Sequence, residues 1–362
     1  MKRISTLELF PGMIIAEDVL SFDRHLIMAK GTELNDNLIT RLDLHGILTV
    51  YVEDSPPQIT VTPTDLTLPQ TISYKDRVQN SPEFKKFKED YERNLGTFKD
   101  AMNQVAERNL ELDVDGLLEN ILGMVSIGSS WPGVLDMLQN MKDFDDSTFT
   151  HSMNVGLICN VLAKWLKLTP AQVEMATACG LFHDIGKLKI PHAIITKPGK
   201  LDPKEYAQIQ RHPILGYQML MQQKVDDHIR NAALMHHERS DGSGYPMRLS
   251  GNQIDPYARI VAIADIYDAM TAARVYRGPL CPFRVIEMFE QEGFQRYDVE
   301  FLLTFLENVV NTYLQTPCKL NDNREGTIVF VNKEKLSRPI VQCGANYVNL
   351  KDFPDLHIQE LI

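Results

Sequence analysis

The chain has 362 residues, 44% of them hydrophobic, and a formal net charge of −11 at pH 7. This length predicts two or three domains with a sizeable core. The acidic excess disfavours general affinity for DNA or for an anionic membrane, because the chain as a whole repels phosphate groups. The sequence shows no signal peptide and no apolar run of membrane-spanning length, and its five scattered cysteines form no CxxC pair. These features are typical of a cytoplasmic protein with reduced thiols.

Residues 1–54 predict a small α/β domain. The segments "GMIIAEDVL", "HLIMAKGTEL" and "ILTVYVE" have the composition of strands, and "NDNLITRLDLHG" predicts a short helix that ends at Gly46. Residues 55–80 begin with prolines set among threonines, which is typical of a linker.

Connecting helices are predicted over residues 81–142. Ser81 followed by Pro82 has the pattern of a helix N-cap with proline in the first turn. An apolar stripe follows at steps of three or four residues, and we expect it to pack against its own domain. A homodimer through helix 82–110 is the alternative interpretation. The stripe consists of Phe84, Phe87, Tyr91, Leu95, Phe98, Met102 and Val105.

The remainder of the chain predicts a helical bundle over residues 143–317 and a β-containing appendage over residues 318–362. Capping patterns such as Thr169-Pro170-Ala171-Gln172 begin the helices, whereas the tail returns to β-branched alternation. The expected fold is therefore mainly α, with small strand-containing units at both ends.

Histidines are concentrated in the predicted bundle, where seven of the ten lie between residues 151 and 237. His25, His45, His192, His228 and His357 are interpreted as structural or solvent-facing. The other five come with carboxylates in the order H…HD…H…HH…D. Asp265 interrupts the apolar run "RIVAIADIY", where a buried bare charge would be costly without a cation. A nitrogen and oxygen set of this kind, without cysteine, suits borderline or hard divalent metals.

The segments "HDIGK", "KPGKL", "RHPILGYQML", "HHERSDGSGYP" and "ADIYDAMTAARVYR" together resemble the HD-GYP family, the branch of the HD phosphohydrolases that hydrolyses cyclic di-GMP. The resemblance covers residues 145 to 315. It implies an all-helical catalytic bundle with a two- or three-metal centre, usually of iron or manganese. Residues 1–54 are similar, less specifically, to a small domain often found before such modules.

The resemblance also implies which residues would hold each metal ion. His151, His183, Asp184 and Asp265 would hold the first ion. Asp184 would bridge to a second ion held by His212, His236 and His237. A hydroxide shared by the two ions would then attack phosphorus in line, with Asp184 and Lys187 as the catalytic residues.

Substrate contacts are carried over from the same motifs. Lys187 would contact the phosphate, Gly244, Tyr245 and Pro246 would shape the mouth of the site, and Arg274 and Arg277 would bind phosphate or guanine. Between His183 and Arg277 the sequence has 13 Lys and Arg against 10 Asp and Glu, which favours steering of an anionic substrate to this segment.

Two departures from the family pattern bear on metal number and substrate. Some members carry a glutamate that recruits a third metal, where this chain has Ser147, with Asp145 and Asp146 just before it. A hydroxyl is a poor ligand for a third ion, so the expected centre has two metals. The family's usual "SDRPYR" reads "AARVYR" here, which keeps both arginines but alters their surroundings.

The leading hypothesis is a phosphodiesterase that opens cyclic di-GMP to pGpG, with the further cleavage of pGpG to GMP left open. The alternatives are a phosphodiesterase that prefers cyclic GMP-AMP, a cyclic dinucleotide sensor or adaptor with weak catalysis, and, ranked last, a generic HD nucleotidase. A diguanylate cyclase or another signalling protein is a candidate partner. The expected enzyme binds neither DNA nor a membrane. A sensor would be expected to have lost metal ligands, and every ligand position is filled here, which favours the enzyme.

Overall fold

A computed structural model describes residues 1–6, 9, 12–20, 26–34, 38–39, 42, 47, 49–53, 74–127, 131–141, 148–197, 199–271 and 280–362. Helices dominate these residues, and strands lie near the two ends of the chain. The predicted mainly α fold class is confirmed. None of the described helices combines the length and apolar character needed to cross a bilayer.

The α-helices of the described residues, numbered in chain order, are α1 Tyr74–Asn80, α2 Pro82–Arg108, α3 Val114–Ile127, α4 Trp131–Asn140, α5 Thr148–Trp165, α6 Pro170–Phe182, α7 His192–Ile195, α8 Pro203–Ile209, α9 His212–Leu220, α10 Asp227–Met235, α11 Pro256–Thr271, α12 Pro282–Met288, α13 Phe294–Arg296 and α14 Val299–Thr312. The strands are β1 Lys2–Ser5, β2 Val19–Leu20, β3 Leu26–Met28, β4 Thr49–Val52, β5 Pro317–Leu320, β6 Glu325–Phe330, β7 Ile340–Cys343, β8 Asn346–Asn349 and β9 Ile358–Leu361.

The N-terminal strands are shorter than the sequence predicts, and one of them was not predicted. β2 pairs with β3, and β1 pairs antiparallel with β4. β1 was missed because "KRIS" is too short to show alternation. Gly31 has a φ of +83°, so the chain turns there and the predicted strand 25–34 cannot continue through it. Most of the predicted helix over residues 35–46 lies outside the described residues.

The predicted linker 55–80 needs a correction at its end. Residues 74–80 form helix α1, because the segment "YKDRVQN" contains neither proline nor glycine and follows the last proline of the linker. Residues 55–73 lie outside the described residues.

Helix α2 begins as the capping pattern predicts, with the Ser81 hydroxyl accepting a hydrogen bond from the Phe84 amide at 3.1 Å. Six of the seven stripe residues are buried within this single chain, and Leu95 is partly buried against the same core. The stripe packs against α3 and α5. It is therefore used within the chain, as the favoured interpretation expected, rather than left for a dimer partner.

Helices α5 and α6 form the centre of the bundle. They are antiparallel and touch through glycines, since a Cβ added to Gly180 would lie 2.8 Å from the Cα of Gly156. A side chain at Gly180 would meet the backbone of α5 and force the helices apart. Because the helices are antiparallel, His151 at the start of α5 faces His183 at the end of α6.

The C-terminal residues form a five-stranded antiparallel sheet in the order β8-β7-β6-β5-β9. The expected β-containing appendage is confirmed, with its first strand beginning at Pro317. Arg338 is buried and donates to Glu287 of α12 at 2.7 Å, which joins the sheet to the helices.

Candidate metal centre

The structure brings together all seven residues predicted as metal ligands, each from the end or middle of a helix. His151 lies in the first turn of α5, and His183 and Asp184 directly follow α6. His212 opens α9, His236 and His237 directly follow α10, and Asp265 lies in the middle of α11. These helices meet in the bundle, so a centre that is dispersed in sequence is compact in space.

Three histidines are oriented by backbone carbonyls. His183 Nδ1 lies 2.7 Å from the Gly180 oxygen, and His212 Nδ1 lies 2.7 Å from the Ile209 oxygen. His236 Nδ1 lies 3.0 Å from the carbonyl oxygens of Ala232 and Ala233. A carbonyl oxygen only accepts, so each Nδ1 must donate. In a neutral ring this leaves Nε2 with its lone pair directed at the centre.

Asp184 lies in the middle of the cluster with its two oxygens on different sides. Its Oδ1 is 3.2 Å from His212 Nε2 and 3.7 Å from His236 Nε2. Its Oδ2 is 3.3 Å from His183 Nε2 and 3.6 Å from His151 Nε2. One carboxylate therefore contacts two groups of histidines, His151 with His183 and His212 with His236, as a bridging ligand must.

His151 is held between two aspartates of α11. Its Nε2 lies 3.0 Å from Asp265 Oδ1, and its Nδ1 lies 2.7 Å from Asp268 Oδ2. Although burial lowers the pKa of His151, these hydrogen bonds raise it to about 9 in the metal-free protein. Burial alone would raise the pKa of Asp265, but the hydrogen bond with His151 and the nearby histidine charges lower it.

Three further ligands, His236, His237 and Asp184, have the protonation states that metal binding needs. Burial lowers the pKa of His236 well below its usual value and that of His237 to about 3, so both rings are neutral at pH 7. Burial raises the pKa of Asp184, but the Lys187 ammonium together with His183 and His212 outweighs burial and lowers this pKa well below the usual range. Neutral imidazoles and an ionised carboxylate are the metal-binding forms.

The cluster also contains buried polar atoms that a bound cation would satisfy. His183 Nε2 and Asp184 Oδ1 are buried and have no hydrogen-bond partner among the described residues. His212 Nε2 and His236 Nε2 lie 3.1 Å apart, and the neutral His236 ring offers only a lone pair there. Three sets of side chains place ligand atoms within 4.8 Å of one another, namely His212, His236 and His237, then His151, His183 and Asp265, and then His183, Asp184 and His236. The donors therefore fit divalent metal ions.

Comparison with known proteins finds a family match over this part of the chain. A family model described as an HD domain matches residues 136–301. This segment is similar to the HD domain family. The resemblance predicted from the five motifs is thereby confirmed at the level of this domain.

Curated relatives of the chain are phosphodiesterases by name. A cyclic di-GMP phosphodiesterase of Pseudomonas aeruginosa is 34% identical over 213 residues, which cover 58% of this chain and 51% of that protein. A 3'3'-cGAMP-specific phosphodiesterase of Vibrio cholerae is 45% identical over 148 residues, which cover 40% of this chain and 34% of that protein. The chain thus spans about half or less of the length of these relatives.

The loop after α10 is held by Glu238, a residue that was not predicted from the sequence. This carboxylate is buried and accepts from the amides of Met247 at 2.6 Å and Leu249 at 2.9 Å. Gly244 is required, because a Cβ there would lie 2.5 Å from the backbone of Glu238. The loop stacks Tyr245 on the His237 ring, with centroids 4.7 Å apart.

A cavity of about 180 Å³ opens beside His236 and His237. It also reaches Asp265, so a molecule bound there would touch three of the candidate ligands. Its wall combines three tyrosines with one arginine and two carboxylates, and it includes Tyr206, Glu238, Arg239, Gly244, Tyr245, Asp265 and Tyr297. Of the predicted mouth residues, Gly244 and Tyr245 line the cavity, and Pro246 follows them in the same loop.

Lys187 lies on the 3-10 turn Ile185–Lys189, where its ammonium contacts the Asp184 carboxylate. It therefore reaches the carboxylate that lies in the middle of the histidine cluster. Arg274, Arg277 and Ser147, with the altered "AARVYR" segment, lie outside the described residues. Their predicted roles stay predictions.

The sequence reasoning missed Asp268 as well as Glu238. Asp268 follows Asp265 by three residues and so lies on the same side of α11. That spacing was the available signal. A carboxylate that accepts from the far nitrogen of a ligand histidine fixes its tautomer and increases its basicity.

Proposed function

We propose that the chain is a metal-dependent phosphodiesterase that hydrolyses cyclic di-GMP to pGpG. The single observation that carries this proposal is the buried cluster of five histidines and two aspartates, in which Asp184 contacts both groups of histidines. A shared carboxylate between two histidine groups suits two ions about 3.5–4 Å apart.

The two ions are proposed to be iron or manganese, held by the ligand sets that the sequence predicts. When bound, they would lower the pKa of a water molecule and neutralise charge on the phosphoryl oxygens. His151, His183, Asp184 and Asp265 would hold one ion, and Asp184, His212, His236 and His237 the other. Lys187 would stabilise the charge that develops on the phosphate, because its ammonium already lies beside Asp184.

The cavity beside the ligands is proposed to take one guanosine unit. Tyr206, Tyr245 and Tyr297 offer aromatic surfaces for stacking on a base. Arg239 in the same wall offers the paired donors that match the O6 and N7 edge of guanine. Arg274 and Arg277 are proposed to bind the phosphates.

The relatives support a cyclic dinucleotide substrate but include enzymes of two specificities. Proteins named as cyclic di-GMP phosphodiesterases and as cGAMP-specific phosphodiesterases both match this chain. Cyclic GMP-AMP is therefore the second candidate substrate. The two differ in one base, so the comparison of their kcat/KM values decides between them.

The test uses the full chain purified without oxygen and loaded with Fe²⁺ or Mn²⁺. We expect cyclic di-GMP to be converted to pGpG, with a higher kcat/KM than for cyclic GMP-AMP, and no turnover after chelation of the metal. Tight binding of cyclic di-GMP without turnover would favour the sensor instead. Conversion of other nucleotides with no preference for a cyclic dinucleotide would favour a generic nucleotidase.

A further inference from the structure

A chain of hydrogen bonds connects helix α2 to the metal-ligand candidate His151. Tyr91 of α2 is buried, and its hydroxyl lies 2.6 Å from Asn154 Oδ1. Asn154 Nδ2 lies 3.0 Å from Asp268 Oδ1, and Asp268 Oδ2 lies 2.7 Å from His151 Nδ1. Tyr91 lies outside the HD match of residues 136–301, whereas the other three residues lie within it.

Each hydrogen bond in this series has only one possible donor. The amide oxygen of Asn154 cannot donate, so the Tyr91 hydroxyl must. The amide nitrogen of Asn154 then faces Asp268, and the Asp268 carboxylate accepts from His151 Nδ1. A proton on Nδ1 leaves Nε2 of the neutral ring as the atom that can bind a metal.

The Asp268 carboxylate only accepts, so it fixes the direction of the Asn154 amide, and the Tyr91 hydroxyl holds the opposite end of that amide. Without the hydroxyl, Asn154 Oδ1 loses the donor that lies 2.6 Å away, and the amide is held less firmly against Asp268. The hold of Asp268 on His151 would then weaken. The Tyr91 hydroxyl also lies 3.4 Å from the carbonyl of Thr150, the residue before His151.

We infer that Tyr91 is a positioning residue for His151, and that it acts through Asn154 and Asp268 on the affinity of the first metal site. Helix α2 is then a structural part of the metal centre rather than only a connection to it. The inference rests on the metal centre proposed above.

The experiment titrates Mn²⁺ into chelator-treated full-length protein and measures free Mn²⁺ by electron paramagnetic resonance. Tyr91→Phe keeps the ring and removes the hydroxyl. We expect it to weaken first-site affinity about three- to tenfold, less than the 10–100-fold typical of a residue that contacts the ligand itself. The second site, which contacts none of these three residues, should keep its affinity.

Tyr313→Phe is the matched control. It removes another buried hydroxyl, which lies 3.3 Å from the hydroxyl of Tyr267 and does not lead to a ligand. Thermal unfolding in chelator compares the stability of the two variants. We expect Tyr313→Phe to keep wild-type metal affinity even where its melting temperature falls as far as that of Tyr91→Phe.

A double-mutant cycle tests the path. If Tyr91 acts through Asp268, Tyr91→Phe has little further effect on affinity in the Asp268→Asn background. An undiminished effect there, or equal losses in Tyr91→Phe and the Tyr313→Phe control, would overturn the inference. Wild-type affinity in Tyr91→Phe would overturn it while leaving the metal centre intact, whereas a wild-type protein that binds no Mn²⁺ would overturn both. Should Tyr91→Phe not fold, Asn154→Asp places a like charge against Asp268, and the same weakening is expected; unchanged affinity in that variant would equally overturn the inference.

Discussion

The substitution Glu238→Gln tests how the loop that carries Tyr245 is held beside the metal centre. Glu238 is 3% exposed, and its carboxylate accepts from the amides of Met247 and Leu249. Glutamine has nearly the same size but only one acceptor oxygen. Its NH₂ group cannot accept from an amide, so one of the two hydrogen bonds is lost and the other becomes a bond between neutral groups.

A hydrogen bond to a charged group contributes about 1.5–3 kcal/mol. Loss of one such bond should therefore reduce the free energy of opening of the loop by about that amount, which corresponds to an opening equilibrium about 10–150 times larger. Metal content should not change, because Glu238 contacts the loop amides and no candidate ligand in these bonds. We expect KM for cyclic di-GMP to rise, since the mouth of the site is less well ordered.

Hydrogen exchange measures this opening directly. The Met247 and Leu249 amides should exchange faster in Glu238→Gln by the factor given above, whereas amides in the middle of α5 should be unaffected. Glu290→Gln is the control, because Glu290 also accepts two hydrogen bonds, both from Ser337, far from the loop in sequence. Unchanged exchange at Met247 and Leu249 would refute the role assigned to Glu238.

Three further predictions concern the centre itself. Asp184→Ala should lose most bound metal and all hydrolysis, whereas His237→Ala should empty mainly the second site; wild-type metal content in both variants, by elemental analysis, would contradict the ligand assignment. Lys187→Ala should keep its metals and lose on the order of 10²-fold in turnover. The control is Lys189→Ala on the same turn, which should keep wild-type turnover because the Lys189 ammonium contacts the Ala106 carbonyl. Equal turnover in the two variants would show that Lys187 has no role in catalysis. Burial lowers the pKa of His151, but two carboxylate partners outweigh it and raise this pKa to about 9 in the metal-free protein, so a metal must displace a proton from His151 at pH 7. The affinity of the first site should therefore rise about tenfold per pH unit between pH 7 and 9. A pH-independent affinity in metal titrations over this range would show that His151 is not a ligand.

The candidate ligands were predictable from sequence because their chemistry is visible in single residues. A histidine next to an aspartate at a helix end, or Asp265 within an apolar helix, is unusual whatever its partners are. The mainly α fold was predictable for a similar reason, since capping residues and apolar spacing act over a few positions.

The supporting residues were not predictable in this way, because their roles depend on contacts between distant parts of the chain. Asp268 is 117 positions from His151 and is recognisable only once α5 and α11 are packed together. Tyr91 belongs to an apolar stripe, and no spacing shows that its hydroxyl reaches Asn154. Two short elements were also missed. Strand β1 has only four residues, too few to show alternation, and helix α1 follows a proline-rich stretch closely and was assigned to the linker.

The most direct test of the account is anomalous X-ray scattering from crystals of the anoxically loaded protein, which locates each metal ion. The account predicts two peaks per chain on opposite sides of the Asp184 carboxylate. One should lie among His151, His183, Asp184 and Asp265, and the other among Asp184, His212, His236 and His237. A third fully occupied peak beside Asp146 or Ser147 would contradict the two-metal centre, and the absence of any peak at Asp184 would contradict the metal-dependent chemistry altogether.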